Sequence, residues 1–394
     1  MTSIIYVGMD VHTTNYTLCC YSMEDDRFFA EVQVEPDAKN ILKYLARIEK
    51  QQSRDCRIVC GYEAGCLGYS LYHQLHAHGI DCVILAPTTM MTKPGKRIKT
   101  DRRDARLISK CLAFHTYSPV YIPTEVDNAV KEYIRMRDDA NSALARVKQQ
   151  IIAFCIRHGK IHDGKSYWTN KHLEWLSSLD LGNKILSEVL QEYLIRYYQL
   201  REQVDMYDMR INELAQAEPY RQKVEKLGCF RGIAAHTALS FCVEVGDFRR
   251  FATAQQFASY LGLVPGECSS GDKQQYTGIT KAGNSHLRKL LVETAQVFGR
   301  SATKSGKSVA LKERQAKCDS LTVAYADKAN ARLKKKYFKI AMRSKVNIAK
   351  TAVAREMACF IWGMMTDNIS CAVKDFYGVK CIFVKNAFEP VIYI

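Results

Sequence analysis

Residues 4–12, IIYVGMDVH, form a run of apolar and β-branched residues that contains one acidic side chain, Asp10. Four similar runs follow: NYTLCCYSM at 15–23, RFFAEVQVEP at 27–36, CRIVCGYEA at 56–64 and DCVILAP at 81–87. Runs of this kind predict β-strands. Residues 41–51 and 67–79 separate the last three runs, and their apolar side chains recur at helical spacing. This order predicts an α/β sheet that begins with three neighbouring strands.

Two apolar seams beyond residue 125 alternate spacings of three and four residues, which is typical of coiled coils. The first seam contains Val130, Tyr133, Arg137, Ala140, Leu144, Val147, Ile151 and Phe154; the second contains Leu186, Leu190, Tyr193, Tyr197, Leu200, Val204, Tyr207, Ile211 and Leu214. Only Arg137 breaks the apolar character of the first seam. We therefore predict a long antiparallel coiled coil, with its turn in GKIHDGKSYW at 159–168 and its second helix ending at Pro219.

The sequence beyond Pro219 is predicted to be mainly helical, and it is strongly basic. The chain of 394 residues has a formal net charge of +16, and residues 300–355 contain 16 basic residues against three acidic ones, Glu313, Asp319 and Asp327. Such a surface attracts polyanions, so we expect contacts with DNA or RNA phosphates. The basic candidates are Lys334, Lys335, Lys336, Lys339, Arg343, Lys345 and Lys350.

A helix, a glycine turn and a second helix are predicted for KLGCFRGIAAHTALSFCVEVGDF at 226–248. The turn, with Gly228 and Gly232, is similar to a helix-hairpin-helix, in which backbone N–H groups hold a phosphate without reading sequence. An ordinary helical connection is the alternative. Either interpretation is compatible with the glycines.

Composition excludes several classes of protein. Apolar residues make up 47% of the chain and charged residues 25%, which excludes wholesale disorder and fibrous repeats. The 15 cysteines are an odd number without a C-x-x-C pair, so a disulfide framework and zinc-finger spacing are not indicated. No stretch has the length and apolarity of a membrane span, and the N-terminus lacks a basic signal segment. We expect a cytoplasmic protein without a membrane partner.

Four carboxylates are candidates for one site. Asp10 lies late in the first predicted strand and Glu63 at the end of the fourth, while Asp101 and Asp104 are one turn apart in a helix that begins in KTDRRDARLI at 99–108. If they converge over the sheet, their mutual repulsion is costly unless cations lie between them. Two Mg²⁺ ions would neutralise the four charges. Two metals about 4 Å apart can stabilise the attacking and leaving oxygens of one phosphate, which is the chemistry that cuts phosphodiesters.

Simpler interpretations of these residues stay open. Asp101 and Asp104 could reflect the preference for acids at a helix N-terminus, and Glu63 could pair with an arginine. In addition, VGMDVHTTNYTL at 7–18 loosely resembles the D-x-G-x-T phosphate loop of actin-like ATPases and sugar kinases, which share the ribonuclease H type of sheet. However, His12 replaces the required glycine, and neither a Walker loop nor a second phosphate loop is visible.

A serine pair is the candidate nucleophile. Ser269 and Ser270 precede a glycine in GLVPGECSSGDK at 262–273, with Lys281 and Arg288 downstream. Serine beside glycine in a polar stretch is a common turn. Basic side chains and exposed backbone N–H groups are also what a phosphorane transition state requires around a nucleophilic hydroxyl. The residues alone leave both interpretations open.

Together these motifs resemble a known family: the insertion-sequence transposases and Piv-type DNA invertases that join a RuvC-like DEDD domain to a C-terminal serine transposase domain, described as bridge-RNA-guided recombinases. The resemblance covers nearly the whole chain, through VGMDVH, YEAG, KTDRRDARLI and the long block at 246–295. It implies an RNase H-like (RuvC-like) catalytic domain at 1–122, a coiled-coil linker for oligomerisation at 123–220, a C-terminal transposase domain at 221–370 and a tail of unknown role at 371–394.

The resemblance also implies a mechanism and partners. Asp10, Glu63, Asp101 and Asp104 would bind two Mg²⁺ per active site, and Ser270, directly before Gly271, would attack a DNA phosphate to leave a 5′-phosphoserine and a free 3′-hydroxyl. It implies homodimers or homotetramers in which the tetrad of one subunit meets the serine of another. The implied partners are DNA of the element ends and target and a structured guide RNA, in a bacterial nucleoid.

Three functions from different classes are compatible with the sequence. The first is a transposase or recombinase with a covalent serine intermediate. The second is a hydrolytic RuvC-like nuclease, in which water replaces Ser270, and the third is a non-enzymatic nucleic-acid binder whose acids are structural. Only the first leaves protein covalently linked to DNA, and only the first two cleave strands with Mg²⁺.

Overall fold

The computed structural model describes residues 3–51, 56–65, 67–90, 100–267, 275–300 and 306–369. The chain divides into two compact units, Met1–Ile122 and Pro123–Ile394. The first unit is α/β and the second is mainly helical. The predicted tail at 371–394 lies outside the described residues, and a further division of the second unit at residue 220 remains our proposal.

The first unit contains a five-stranded sheet with the order β3-β2-β1-β4-β5. Its strands are β1 (Ser3–Val11), β2 (Tyr16–Ser22), β3 (Arg27–Val34), β4 (Cys56–Glu63) and β5 (Asp81–Leu85). The first three strands pair antiparallel, whereas β1, β4 and β5 are parallel. The predicted element order and the three neighbouring strands are confirmed, and the sheet with its helices is consistent with an RNase H-like domain.

Helices cover both faces of this sheet. On one face, α1 (Ala38–Gln51) and α2 (Ser70–Ala77) share a core with Val7 and Met9 of β1. On the other face, α3 (Asp101–Ala113) packs on Tyr6 and Tyr21. A short 3₁₀ turn, Pro87–Thr89, follows β5. Because both faces are covered, the strands are nearly continuous apolar runs rather than alternating ones.

Two glycines allow α3 to lie directly on the sheet. Gly8 of β1 and Gly61 of β4 are register partners. A Cβ at Gly8 would lie 2.0 Å from the carbonyl oxygen of Ala105 and 2.4 Å from the amide nitrogen of Ser109. A Cβ at Gly61 would lie 2.8 Å from the side chain of Leu112. No side chain fits between β1 and α3 at Gly8, which fixes the position of α3 along β1.

The second unit begins with two 33-residue helices, α4 (Glu125–Arg157) and α6 (Lys184–Gln216). Tyr133 contacts Tyr207 near one end of the pair and Phe154 contacts Tyr193 near the other, so the helices run antiparallel. Arg137 of α4, which breaks the predicted apolar seam, forms hydrogen bonds with an acidic residue of α6. Its Nε and Nη2 donate to the two carboxylate oxygens of Asp208 at 2.7 and 2.9 Å. This is the bidentate geometry that a guanidinium favours.

The connection between the two long helices is larger than predicted. The predicted turn covered only residues 159–168, but the chain continues through a further helix, α5 (Asn170–Ser177), before α6 begins. Thr169 starts α5 because its side chain accepts a hydrogen bond from the amide of His172. The second long helix ends at Gln216, ahead of Pro219.

The remaining helices surround one core. They are α7 (Arg221–Gly228), α8 (Ala235–Val245), α9 (Ala254–Tyr260), α10 (Ser285–Ala295), α11 (Val309–Gln315), α12 (Ser320–Ala341) and α13 (Val346–Met365), with 3₁₀ turns at Phe248–Arg250 and Gln296–Gly299. Phe230, Phe241 and Phe257 are fully buried in this core. An antiparallel hairpin of β6 (Pro265–Glu267) and β7 (Tyr276–Ile279) interrupts the helices.

The described part of the chain has two further properties. None of its helices combines the length and apolarity needed to cross a membrane. Its cysteines, from Cys19 to Cys359, form no disulfide bonds.

Candidate functional site

Asp10 lies near the end of β1, on the face covered by α3. Gly8 and Asp10 are two residues apart and therefore share one face of the strand. The Asp10 side chain is only 15% exposed, and its buried Oδ2 lies 3.3 Å from Nε2 of His12. A buried carboxylate is costly unless positive charge lies beside it, and a cation is a suitable partner for it.

Glu63 occupies the equivalent place on the neighbouring strand β4. Because Gly8 lies opposite Gly61 in the parallel register, Asp10 and Glu63 project from the same face at the same end of the sheet. Neighbouring strands are about 4.8 Å apart. Glu63 is exposed and has polar contacts of its own.

Asp101 and Asp104 both lie in the first turn of α3. Thr100 caps this helix by accepting a hydrogen bond from the amide of Arg103. Acids here complement the helix dipole, as the simpler interpretation expects. The same turn also lies close enough to Asp10 to affect its ionisation, so the helix preference is not the whole account.

The electrostatics of Asp10 indicate that the nearby positive charge does not balance its burial and its acidic neighbours. Burial raises the pKa of the Asp10 carboxyl; the nearby His12 lowers this pKa, and Asp104 and Asp101 raise it further. The net result is a raised pKa. A divalent cation among these groups would favour the ionised carboxylate and reverse the shift.

Three side chains offer ligand atoms at metal-binding distance. One atom each of Asp10, His12 and Asp101 lie within 4.8 Å of one another. Carboxylate oxygens bind Mg²⁺ and Mn²⁺, and imidazole nitrogen binds transition metals. The donor set and the buried Oδ2 of Asp10 therefore fit a divalent cation. Glu63 and Asp104 are not members of this group of three.

His12 was missed as a site residue by the sequence analysis. It was considered only as a departure from a phosphate loop. The available signal was its position two residues after Asp10, which places two ligands on one side of an extended chain. The Nε2 of His12 lies 3.3 Å from the Oδ2 of Asp10.

The predicted nucleophile lies outside the described residues. These stop at Glu267 and resume at Gln275, and Ser269 and Ser270 fall between the two. Glu267 and Tyr276 pair in the β6–β7 hairpin on either side of the segment. Downstream, Arg288 donates from Nη1 to the carbonyl oxygens of Leu261 and Ala282 at 2.9 and 3.2 Å. Arg288 thus holds the chain both before and after the hairpin.

Lys281 lies exposed in the connection between β7 and α10. Its backbone has a φ of 57°, in the left-handed region. The amide of Lys281 donates to the carbonyl oxygen of Gly262 at 3.1 Å. The Lys281 side chain is therefore exposed to solvent, while a hydrogen bond holds its backbone in place.

The two glycines of the predicted hairpin have packing roles. Gly228 ends α7, and its carbonyl oxygen accepts a hydrogen bond from Nε of Arg314 at 3.0 Å. Gly232 has a φ of 87°, and a Cβ there would lie 2.9 Å from the side chains of Thr294 and Val297. The helix-turn-helix order is as predicted. The contacts at Gly232 explain that glycine without a phosphate, whereas the hydrogen bond at Gly228 does not require a glycine. The phosphate role of the turn remains a proposal.

The basic candidates near α12 fall into two groups. Four of them are exposed: Lys335, Lys339, Arg343 and Lys345. Lys336 is different, because it and Arg332 both form ion pairs with the largely buried Glu356 of α13. Lys336 therefore joins α12 to α13, and its charge is already paired with a carboxylate, so it is less available to bind a nucleic-acid phosphate. Lys334 is half-buried and has polar contacts of its own.

A buried ionic network in the second unit was not predicted. Asp138 of α4 lies 2.9 Å from Nε2 of His236 and 2.8 Å from Nε2 of His286. His286 also lies 3.3 Å from Glu244 of α8, whose Oε2 accepts a hydrogen bond from Asn284 at 3.0 Å. The network joins α4, α8 and the start of α10. Its members are far apart in the sequence, so no local pattern reveals it.

Comparisons with known proteins identify the family. A DEDD transposase model of the IS110 type matches residues 7–156, and a model described as Transposase IS116/IS110/IS902 family matches residues 225–313. The chain is 36% identical over 304 residues to the putative transposase y4qE of Sinorhizobium fredii, covering 77% of this chain and 74% of that protein. The chain belongs to the IS110/IS116/IS902 family of transposases. The transposase for insertion sequence element IS1533 of Leptospira borgpetersenii is 32% identical to this transposase over 84% of the chain and 95% of its own length.

Family membership gives the function in outline. The chain is an insertion-sequence transposase, and DNA is its substrate. The first matched range contains Asp10, Glu63, Asp101 and Asp104, and the second contains Ser269, Ser270, Lys281 and Arg288. A DEDD domain suggests the use of a divalent metal, in agreement with the ligand atoms around Asp10.

Proposed function

We propose that this transposase cuts and rejoins DNA at the ends of its insertion sequence through Mg²⁺ ions held by Asp10, Glu63, Asp101 and Asp104. The observation that supports this most strongly is the largely buried Asp10 carboxylate, which lies with ligand atoms of His12 and Asp101 in a group whose members are within 4.8 Å of one another. The raised pKa of Asp10 has the same origin, since burial and two neighbouring acids surround it.

The proposed chemistry is nucleophilic. The Oγ of Ser270 attacks a DNA phosphorus and loses its proton, while the bond from phosphorus to the 3′ oxygen breaks and that oxygen takes up a proton. The products are a 5′-phosphoserine and a free 3′-hydroxyl, and attack by another 3′-hydroxyl reverses the step to rejoin strands. Bound Mg²⁺ supplies charge stabilisation to the phosphorane. Because one phosphodiester replaces another, no high-energy cofactor is required.

The second unit provides the proposed nucleic-acid contacts. Lys281 and the exposed side chains of α12 and its C-terminal connection would bind phosphates, and the turn containing Gly228 and Gly232 would offer backbone N–H groups. Arg288 would act by holding the chain before and after the β6–β7 hairpin, at Leu261 and Ala282. Guidance by a structured RNA, assembly into dimers or tetramers and a site shared between subunits rest on the family resemblance alone.

Covalent trapping tests the serine. Purified transposase, Mg²⁺, RNA co-purified with it and labelled DNA of the element ends should give a protein–DNA adduct that survives denaturation. Ser270→Ala should abolish the adduct, and Ser269→Ala is the matched control that should retain it. Loss with Ser269→Ala and retention with Ser270→Ala would overturn the assignment of the nucleophile. Strand cleavage without any adduct would instead indicate the hydrolytic nuclease.

A further inference from the structure

We propose that His12 is a nitrogen ligand of the cation held by Asp10 and Asp101, and that this ligand makes the site prefer Mn²⁺ to Mg²⁺. The inference rests on the proposed metal site and extends it, because the acidic tetrad alone contains only oxygen ligands. It assigns a role to His12, a second potential metal ligand in the IIYVGMDVH stretch that the proposed function does not use.

The distances among the three side chains suit one coordination sphere. Ligands bonded to one cation at about 2.2 Å lie about 3.1 Å apart when adjacent and about 4.4 Å apart when opposite. Nε2 of His12 and Oδ2 of Asp10 are 3.3 Å apart, and the atoms of all three residues lie within 4.8 Å. The His12–Asp10 pair therefore matches adjacent ligands, and Asp101 completes the group with small adjustments.

His12 and Asp10 form an ion pair in the structure. Nε2 of His12 lies 3.3 Å from the buried Oδ2 of Asp10, and this contact partly offsets the rise in the pKa of the Asp10 carboxyl that burial causes. A cation would replace this pairing, because neutral imidazole and carboxylate each present a lone pair to a metal. The pair therefore already holds two ligand atoms at the separation expected of adjacent ligands.

The chemistry of the ligands sets the metal preference. Mg²⁺ is a hard cation that binds oxygen almost exclusively and retains water, whereas Mn²⁺ accepts imidazole nitrogen as well as carboxylate oxygen. A site with one nitrogen and several carboxylates therefore favours Mn²⁺. We expect the Kd for Mn²⁺ to be at least ~10-fold lower than the Kd for Mg²⁺ in the wild-type chain, and His12→Ala to reduce this ratio to ~3-fold or less.

His12 can be removed without loss of the fold. Its side chain is 46% exposed and belongs to no hydrophobic core of the described residues. Its contribution to the turn between β1 and β2 is made by the main chain, whose amide donates to the carbonyl oxygen of Asn15 at 3.0 Å. Alanine retains that amide. His76, exposed on α2, provides a matched control, His76→Ala.

Pulsed electron paramagnetic resonance of Mn²⁺ bound to the full-length chain tests the inference directly. An imidazole ligand gives ¹⁴N modulation of the Mn²⁺ echo. We expect this modulation in the wild type and in His76→Ala, and its loss in His12→Ala with Mn²⁺ still bound. Isothermal titration with Mn²⁺ and with Mg²⁺ gives the two Kd values for each variant.

The outcomes separate this inference from the proposed function. If Asp10→Asn abolishes Mn²⁺ binding but the wild type shows no ¹⁴N modulation, or if His12→Ala retains it, His12 is not a ligand and the metal site stands. If Asp10→Asn leaves Mn²⁺ binding unchanged, the metal site itself is wrong, and the inference falls with it.

Discussion

Asp10 is the residue on which the candidate site depends most. The sequence predicted its importance because a charged side chain in a buried strand requires a partner. The structure adds the reason why it can meet Asp101 and Asp104: Gly8, two residues earlier, leaves room for α3 on the same face. That close approach could not be predicted from the sequence, because it depends on backbone atoms about 100 residues apart.

Replacement of Asp10 separates stability from metal binding. Asp10→Asn removes one negative charge from a group whose burial and acidic neighbours raise its pKa. In the absence of metal we expect the Tm to be equal to or slightly above that of the wild type, because repulsion is relieved. Addition of Mg²⁺ should raise the Tm of the wild type and leave that of Asp10→Asn unchanged.

Differential scanning calorimetry with and without Mg²⁺ measures both effects. Asp163→Asn, at an exposed acid of the connection after α4, is the control and should respond to Mg²⁺ like the wild type. A marked fall in the Tm of metal-free Asp10→Asn would show that the carboxylate has a structural partner, contrary to our account.

At the scale of elements, the packing of α3 on β1 is what brings the acids together. Gly8→Ala would place a Cβ 2.0 Å from the carbonyl oxygen of Ala105. Backbone cannot yield as a flexible side chain does, so we expect a loss of at least about 3 kcal/mol in the free energy of unfolding of the first unit. Urea denaturation of the full chain measures this loss. Gly278→Ala, where a Cβ would meet no atom within 4 Å, should change stability little.

The buried network that joins α4, α8 and α10 predicts a loss of stability at alkaline pH. Burial alone would lower the pKa of His286, but Asp138 and Glu244 outweigh burial and raise it to about 9. Burial likewise raises the pKa of Glu244, but His286, Lys131 and Asn284 outweigh it and hold that pKa at about 2. The protonated imidazole is thus favoured in the folded state.

The sign of the effect follows from the direction of these shifts. A raised histidine pKa contributes stability that is complete below its ordinary value of 6.5 and is lost as the pH rises through about 9. We expect the free energy of unfolding to fall by about 1–3 kcal/mol over that interval. The variant His286→Gln should be less stable at neutral pH and should lack this decline. Urea unfolding at several pH values measures it, and an equal decline in both proteins would contradict the assignment.

Helix α12 offers a test of which lysines contact nucleic acid. Lys335 and Lys339 are exposed, whereas Lys336 pairs with Glu356. Lys335→Ala should leave the Tm unchanged. It should remove one phosphate contact, so the slope of log K for DNA binding against log salt concentration should become shallower by roughly 0.9. Lys336→Ala should lower the Tm instead. Binding titrations at a series of salt concentrations, with melting curves, distinguish the two, and an unchanged slope for Lys335→Ala would remove it from the interface.

At the scale of the whole molecule, the sequence predicted an α/β first unit, a mainly helical second unit and the family. The spacing of apolar residues was sufficient to predict the two fold classes, because each unit buries long apolar runs with regular spacing. It failed for α5, which is short and follows a glycine-rich segment, and for the Asp138 network, whose members come from three distant helices. Pairings of this kind depend on tertiary packing and leave no local pattern.

The claim that supports the whole account is that carboxylates of the first unit hold a divalent cation. Crystals of the transposase soaked in Mn²⁺ and measured at the manganese absorption edge test this directly. We predict an anomalous peak within about 2.3 Å of a carboxylate oxygen of both Asp10 and Asp101. Strong manganese peaks elsewhere on the chain, with none at bonding distance from Asp10, would contradict the account.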